Sequence, residues 1–261
     1  MSASTSVSVA AAAGIARITI DGPTRHNALD FPAMRELGRL IRNSMERYEV
    51  RCIVIEGGAG VFCAGADLPA GDLPGREENT AMMLAVRDVV TGIVRGPLPV
   101  VAAVDGPAAG VGASIAFACD VVVASRSAYF LLPFSGIGLV PDGGATVTVA
   151  AALGRVRAMR MALLQERLPA PEALEAGLLA EVCAAEDLSA AAQRIAGALA
   201  AGPRHALSRI KRVINDHSLT HLEAALDRET EEQLPLLDGV EFREGVAAFR
   251  ERRRPDFRLD T

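Results

Sequence analysis

Apolar and polar positions alternate first over residues 15–20, Ile-Ala-Arg-Ile-Thr-Ile, a β-branched stretch that stops at the breaker Asp21-Gly22-Pro23. That pattern predicts a strand. Residues 31–48 change period: apolar side chains fall at 34, 37, 40, 41 and 45, the spacing of one helix face. Short, wholly apolar runs at 52–55 and 100–104 predict buried strands, separated by a helix over 81–94. A short buried helix is expected at 113–118, with strands at 121–124 and 129–132. Strands alternating with helices define an α/β core.

Beyond Gly144 the pattern turns helical, over 145–153, 155–164, 171–176, 187–200, 206–216 and 222–234. A soft boundary near residue 200 divides the chain into a core, 1–200, and a helical C-terminal region, 201–261. Segment 69–78 is rich in breakers and charge and reads as a surface loop, positioned to act as a lid if a ligand site lies beside it.

Composition narrows this picture. The chain has 261 residues, half of them apolar but only 4% aromatic and none Trp, so its core must be built from Ala, Val, Leu and Ile. A net charge of −5 without a basic stripe excludes a nucleic-acid partner. Lys211 is the sole lysine. Cys52, Cys63, Cys119 and Cys183 lie far apart with no C-x-x-C pair, which points to neither a metal site nor a disulfide framework. The first nine residues lack the basic and apolar parts of a signal peptide. No apolar run approaches the ~18–20 residues of a membrane span. A soluble cytoplasmic protein without a membrane partner is expected.

Two runs of very small side chains carry the candidate chemistry. Phe62-Cys63-Ala64-Gly65-Ala66-Asp67-Leu68 follows the strand at 52–55, and Gly106-Pro107-Ala108-Ala109-Gly110-Val111-Gly112 follows the strand at 100–104. Either can be a tight strand-to-helix turn and nothing more. Small residues also let a ligand reach the backbone. Two peptide N–H groups converging on one point form an oxyanion hole, which stabilises a carbonyl oxygen as it gains charge.

These runs belong to a longer series. Pro23-Thr24-Arg25-His26-Asn27-Ala28-Leu29, the two small-residue runs, Cys119-Asp120, Gly138-Leu139-Val140-Pro141-Asp142-Gly143-Gly144 and Glu244-Gly245-Val246-Ala247-Ala248-Phe249 occur in this order. Together they resemble the crotonase, or enoyl-CoA hydratase/isomerase, family over nearly the whole chain. The resemblance implies a spiral core of β-β-α turns and a C-terminal helical region that builds homotrimers or pairs of trimers. It implies an acyl-CoA thioester substrate and no cofactor apart from coenzyme A within that substrate. By register the oxyanion donors would be Ala64 and Val111. Arg25, His26, Ala28, Cys63, Ala66, Asp67, Leu68, Gly110 and Phe134 would line the path of the thioester and its CoA.

The register also exposes a departure. Relatives that hydrate enoyl-CoA use two glutamates, and their positions fall here on Ser114 and Phe134. Neither is a general base at neutral pH, and Phe moves no proton. Asp142 is the acid left in the region. Its position is similar to that of an acid in family members that shift double bonds or isomerise ring epoxides. Its structural alternative is an N-cap for the following helix. A double-bond shift or related isomerisation with Asp142 as proton shuttle is therefore expected ahead of hydration. The alternatives are a hydratase and a non-catalytic acyl-CoA binder. A serine-hydrolase elbow at Gly112-Ala113-Ser114-Ile115-Ala116 lacks a strand leading directly into the serine. A dinucleotide fingerprint lacks its third glycine, because Ile115 stands there. Asp120 reads as a core-fixing residue. His26, His205, His217 and His221 read as non-catalytic.

Overall fold

The computed structural model describes residues 4–68 and 71–258. It opens with β1 (Ser6–Ala12) and β2 (Ile15–Asp21), an antiparallel pair turned at Ala13-Gly14. The hydropathy pattern predicts no strand before residue 15. Val7 and Val9 do alternate with serines, but the alanines that follow conceal the period. Next come α1 (Phe31–Glu46), β3 (Cys52–Gly57) and α2 (Arg76–Arg95). Helix α2 starts within the segment expected to be loop: Arg76, Glu77 and Glu78 form its first turn, and the Glu78 carboxylate accepts the Gly75 N–H at 3.1 Å. Acidic residues suit a helix N-terminus. Pro69 and Ala70 of the expected lid lie outside the described residues.

The chain then repeats a strand-strand-helix unit. β4 (Val100–Val104), β5 (Pro107–Ala109) and α3 (Val111–Ala118) are followed by β6 (Val121–Ser125), β7 (Tyr129–Leu131) and α4 (Ala145–Leu153). In each unit the first strand joins a six-stranded sheet, ordered β1-β2-β3-β4-β6 and then β9 (Glu181–Cys183). The second strand joins a small sheet, ordered β5-β7 and then β8 (Leu168–Pro169). This is the ββα spiral the resemblance implied. The pairing that separates it from a doubly wound sheet is invisible to hydropathy.

Period-two alternation in the large sheet serves two cores. Cys52, Val54, Val101 and Ala103 face α7 (Leu188–Ala201), packing on its Ala191, Ala192 and Ala196. Ile53, Ile55, Val100, Ala102 and Val104 face α1 and α2 in the main core. Strands buried on both faces need continuous apolar sequence, which is what these runs are. Between the spiral and α7 lie α5 (Arg155–Leu164) and α6 (Ala170–Glu175). The chain ends in α8 (Arg204–Ser218), α9 (Leu222–Leu237) and α10 (Val240–Glu251).

Helix α9 does not stand apart from the core: Leu222 and Leu226 are buried in the main cluster. Helix α10 sits on the turn Phe134–Ile137, where a Cβ on Gly245 would come within 2.5 Å of the Ile137 Cα. Only glycine permits that approach, which explains the Gly245 of the C-terminal motif. Lys211 reaches inward from α8. Its ammonium donates to the Ile93 and Leu98 carbonyls (2.5 and 2.8 Å) and pairs with Asp120 at 2.7 Å, while Asp120 also accepts the Val100 N–H at 2.7 Å. Asp120 is thus a core-fixing residue. Among the described residues no helix is long and apolar enough to cross a membrane.

Candidate active site

The two small-residue turns meet. Cys63 and Ala108 form a parallel bridge: the Cys63 N–H donates to the Pro107 carbonyl (3.2 Å) and the Ala109 N–H to the Cys63 carbonyl (2.9 Å). Just beyond the bridge, Gly65 abuts the second turn. A Cβ there would lie 3.0 Å from the Ala109 oxygen and 3.6 Å from the Gly110 Cα. Gly65 has φ +110°, and Gly110 has φ +54° with ψ −132°, backbone that side chains with a Cβ rarely adopt. Gly112 is also required, since its Cβ would fall 2.4 Å from the Cys63 oxygen.

The peptide groups at this junction correct one sequence expectation. The Ala64 N–H is not free; it donates to the His26 carbonyl at 3.0 Å. The free amide of the first turn belongs to Ala66. Leu29 bonds to both neighbours of Ala66, its N–H to the Gly65 carbonyl (2.8 Å) and its carbonyl to the Asp67 N–H (3.0 Å). In a parallel bridge of this kind the central residue's own N–H points away from the partner strand. Among the described residues the Ala66 N–H has no acceptor. On the second turn the Val111 N–H also has none. As the first residue of α3 it has no intrahelical partner, and the helix N-terminus adds positive potential there. The alternation that commits Ala64 to His26 and frees Ala66 is set by Gly65, so residue types alone do not reveal it.

Around this junction the structure gathers the other expected residues. Arg25 and Asp67 form a partly exposed ion pair. His26 and Asn27 occupy left-handed backbone, φ 53° and 59°. Asn27 is wholly buried: its Oδ1 accepts the Gly22 N–H (2.8 Å), and its Nδ2 donates to the Gly58 and Val61 carbonyls (2.9 and 2.6 Å). It thereby ties the Arg25–Leu29 segment to the first small-residue turn. Ala28 is buried, and its carbonyl accepts the Thr5 hydroxyl at 2.6 Å. Cys63 is buried and burial pushes its thiol up to about 12, which leaves it protonated and inert. Leu68 is half-buried at the edge of the turn. The Phe134 ring lies over the second turn, its Cζ 3.9 Å from where a Gly110 Cβ would be. All four histidine side chains are exposed. Among the described residues no group of three or more His, Cys, Asp or Glu could hold a metal ion.

Asp142 is linked to the same junction through Ser114. The Ser114 hydroxyl donates to the Asp142 main-chain carbonyl at 2.7 Å, with the Gly110 carbonyl 3.3 Å away. Committed to these carbonyls, Ser114 is no nucleophile. The Asp142 side chain does not cap α4, whose N-cap is Gly144. Glu229 of α9 holds that helix end instead, accepting the Gly144 N–H (2.8 Å), the Thr146 N–H (3.2 Å) and the Thr146 hydroxyl. One helical turn further, Gln233 accepts the Val140 N–H at 3.0 Å and donates to Asp142 Oδ2 at 3.1 Å. Asp142 Oδ1 is buried and has no partner among the described residues.

Two buried carboxyls therefore meet opposite environments. Glu229 is raised by burial, but the backbone donors, the Thr146 hydroxyl and the helix N-terminus favour its charged form. Asp142 is pushed up to about 7, chiefly by burial and further by the charge of Glu229, with Gln233 as the opposing influence. A carboxyl poised near neutrality beside an oxyanion hole is suited to taking and returning a proton. Glu229 and Gln233 carry no sequence signal, because a Glu and a Gln four residues apart on a helix resemble an ordinary solvated face.

A parallel ββα spiral carrying two backbone donors at a small-residue junction defines the crotonase class. The profile described as enoyl-CoA hydratase/isomerase matches residues 10–259. The chain belongs to that family. It is 39% identical to a Rhodobacter capsulatus protein named "Probable enoyl-CoA hydratase", with 94% of each chain covered. It is 35% identical to the 1,2-epoxyphenylacetyl-CoA isomerase of Escherichia coli, over 94% of this chain and 95% of that one. The crystal structure of an enoyl-CoA hydratase from Mycobacterium avium subsp. paratuberculosis superposes with a TM-score of 0.89 at 42% identity, covering 97% and 98% of the two chains.

Proposed function

We propose that the protein is an acyl-CoA isomerase that shifts a double bond, or carries out a related rearrangement, through a thioester enolate. The observation that carries this reading is Asp142: a buried carboxyl with one oxygen held by Gln233, the other unpartnered, beside the junction of the two turns. The thioester oxygen accepts the Ala66 and Val111 N–H groups. Arg25, His26, Ala28, Cys63, Asp67 and Leu68, clustered about the first turn, line the CoA path, and Gly110 and Phe134 line the acyl side.

In the shift of a 3-enoyl thioester, ionised Asp142 takes a proton from C2. The C2–H electron pair becomes the C1–C2 double bond of a dienolate whose charge rests on the thioester oxygen. Asp142 then returns the proton to C4, using the C3–C4 π pair, while the enolate electrons form the C2–C3 double bond. One carboxyl on one face performs both transfers. Hydration asks for a second group to handle water, and Ser114 and Phe134 offer none. The relatives' names divide between hydratase and isomerase; these two positions favour isomerase. Purified protein incubated with 3-enoyl-, 2-enoyl- and aromatic ring acyl-CoA thioesters tests this by product mass and ultraviolet absorbance. Isomerisation should far exceed hydration. Hydration of a 2-enoyl-CoA near the diffusional ceiling of about 10⁸–10⁹ M⁻¹s⁻¹, or no turnover on any of them, would overturn it.

A homotrimer or homohexamer belongs to the same proposal. The apolar surface that supports it differs from the one expected on α9, where Leu222 is in the core. Exposed Ile210, Val213 and Ile214 form one face of α8, more than half exposed each. A monomer mass at all concentrations would contradict assembly.

A further inference from the structure

We propose that Gln233 is a positioning residue that makes Asp142 Oδ2 a permanent acceptor, so that Oδ1 alone carries the shuttled proton. This inference rests on Asp142 being the proton shuttle.

The Gln233 amide is fixed from both ends. Its Oε1 accepts the Val140 N–H at 3.0 Å, so its other end must be the NH₂ group, which donates to Asp142 Oδ2 at 3.1 Å. Gln233 is 1% exposed, and no solvent competes for either bond. An N–H donor on Oδ2 is satisfied whether the carboxyl is charged or neutral, provided the proton of the neutral form sits on the other oxygen. A half-turn of the carboxyl would aim the acid proton at the amide N–H and lose the bond. Oδ1, buried and without a partner among the described residues, is therefore where the proton arrives from C2 and departs to C4. A buried polar atom left unpaired is costly. A substrate C–H or O–H site opposite it gives that oxygen a purpose.

The surroundings leave the assignment to Gln233. α3 brings the uncharged Ser114 to the Asp142 carbonyl, and α2 brings Val86 within 3.3 Å of where a Gly143 Cβ would be. The charged group acting on Asp142 is Glu229, on the same face of α9 as Gln233. Its own oxygens are engaged at the start of α4. Helix α9 thus supplies one group that opposes ionisation of Asp142 and one that supports it.

The test compares Gln233→Glu and Gln233→Leu with wild type, using the substrate the wild type isomerises. Gln233→Glu keeps the shape and the acceptor for Val140 but removes the donor; Gln233→Leu removes both. Because the donor favours the charged carboxylate, its loss must raise the acidic limb of the kcat–pH profile, by about one pH unit or more. At pH 7, kcat should fall about tenfold or more with KM changed by less than about threefold. A merely structural glutamine would leave the limb in place. An unmoved limb in Gln233→Glu, or in Gln233→Leu if the glutamate variant fails to fold, overturns the inference. Asp142→Asn, run alongside, separates the two levels. If it is inactive while the limb is unmoved in the Gln233 variants, the shuttle stands and the positioning role falls. If it retains full turnover, both fall.

Discussion

Replacing Asp142 with Asn should make stability respond to pH in the opposite direction from activity. Burial and the neighbouring Glu229 hold the folded-state carboxyl near 7, against 3.8 ordinarily. Folding thus favours the protonated form. At about 1.4 kcal/mol per pH unit this gap corresponds to about 4 kcal/mol. That contribution is complete below about pH 4, where the unfolded chain is protonated too. It is lost as pH rises toward 7, because the unfolded chain gives up its proton freely and the folded one does not. Asn has no proton to lose. Its amide fills the same space, with Oδ1 facing Gln233 and the NH₂ group in the unpartnered position, a cost that does not vary with pH. The stability of Asp142→Asn minus that of wild type should therefore grow by roughly 3 kcal/mol between pH 5 and pH 8. Urea unfolding at matched protomer concentration measures it, since assembly makes stability concentration-dependent. Isomerase turnover should meanwhile be lost by about 10²-fold or more. Parallel stability curves for the two proteins would refute the buried, poised carboxyl.

Glu229→Gln removes a charge that raises Asp142, so the acidic limb of the kcat–pH profile should move to lower pH. A rate titration checks the sign. Ala66→Pro deletes the free amide of the first turn; kcat should fall about 10²–10³-fold, the usual loss for one oxyanion donor, while Ala64→Gly leaves kcat within a few-fold. Equal losses in the two would return the donor to Ala64. Lys211→Met strands Asp120 in the core without its cation and should cost about 3–5 kcal/mol in urea unfolding. A loss below about 1 kcal/mol would mean that Asp120 is solvated.

Much of the fold is legible in the sequence because the large sheet is buried on both faces. Runs such as 52–55 and 100–104 can be little else, and the helix periods around them are regular. The hairpin strand β1 is not legible, since alanines carry no period. The turns can be read as turns, from their glycines and alanines. Which amide faces the ligand cannot, because Gly65 at φ +110° reverses the alternation within one residue. Asp142 stands out in the sequence as an acid in a loop. Its helix-capping alternative falls only when Glu229, 87 positions later, is seen at the end of α4. Contacts between a loop and a distant helix leave no local spacing to read, which is why Gln233 is also invisible in the sequence.

Every role proposed for the site depends on Asp142 removing a proton next to a thioester carbonyl held by two backbone amides. Exchange at C2 in D₂O measures that step directly, whatever product is finally released. A 3-enoyl-CoA thioester is incubated with enzyme, and deuterium at C2 and C4 is followed by mass spectrometry and NMR. Wild type should catalyse label entry, and Asp142→Asn should do so at least about 10²-fold more slowly while binding the ester with unchanged affinity. Exchange at the wild-type rate in the variant, or none in wild type despite a bound ester, would contradict the account.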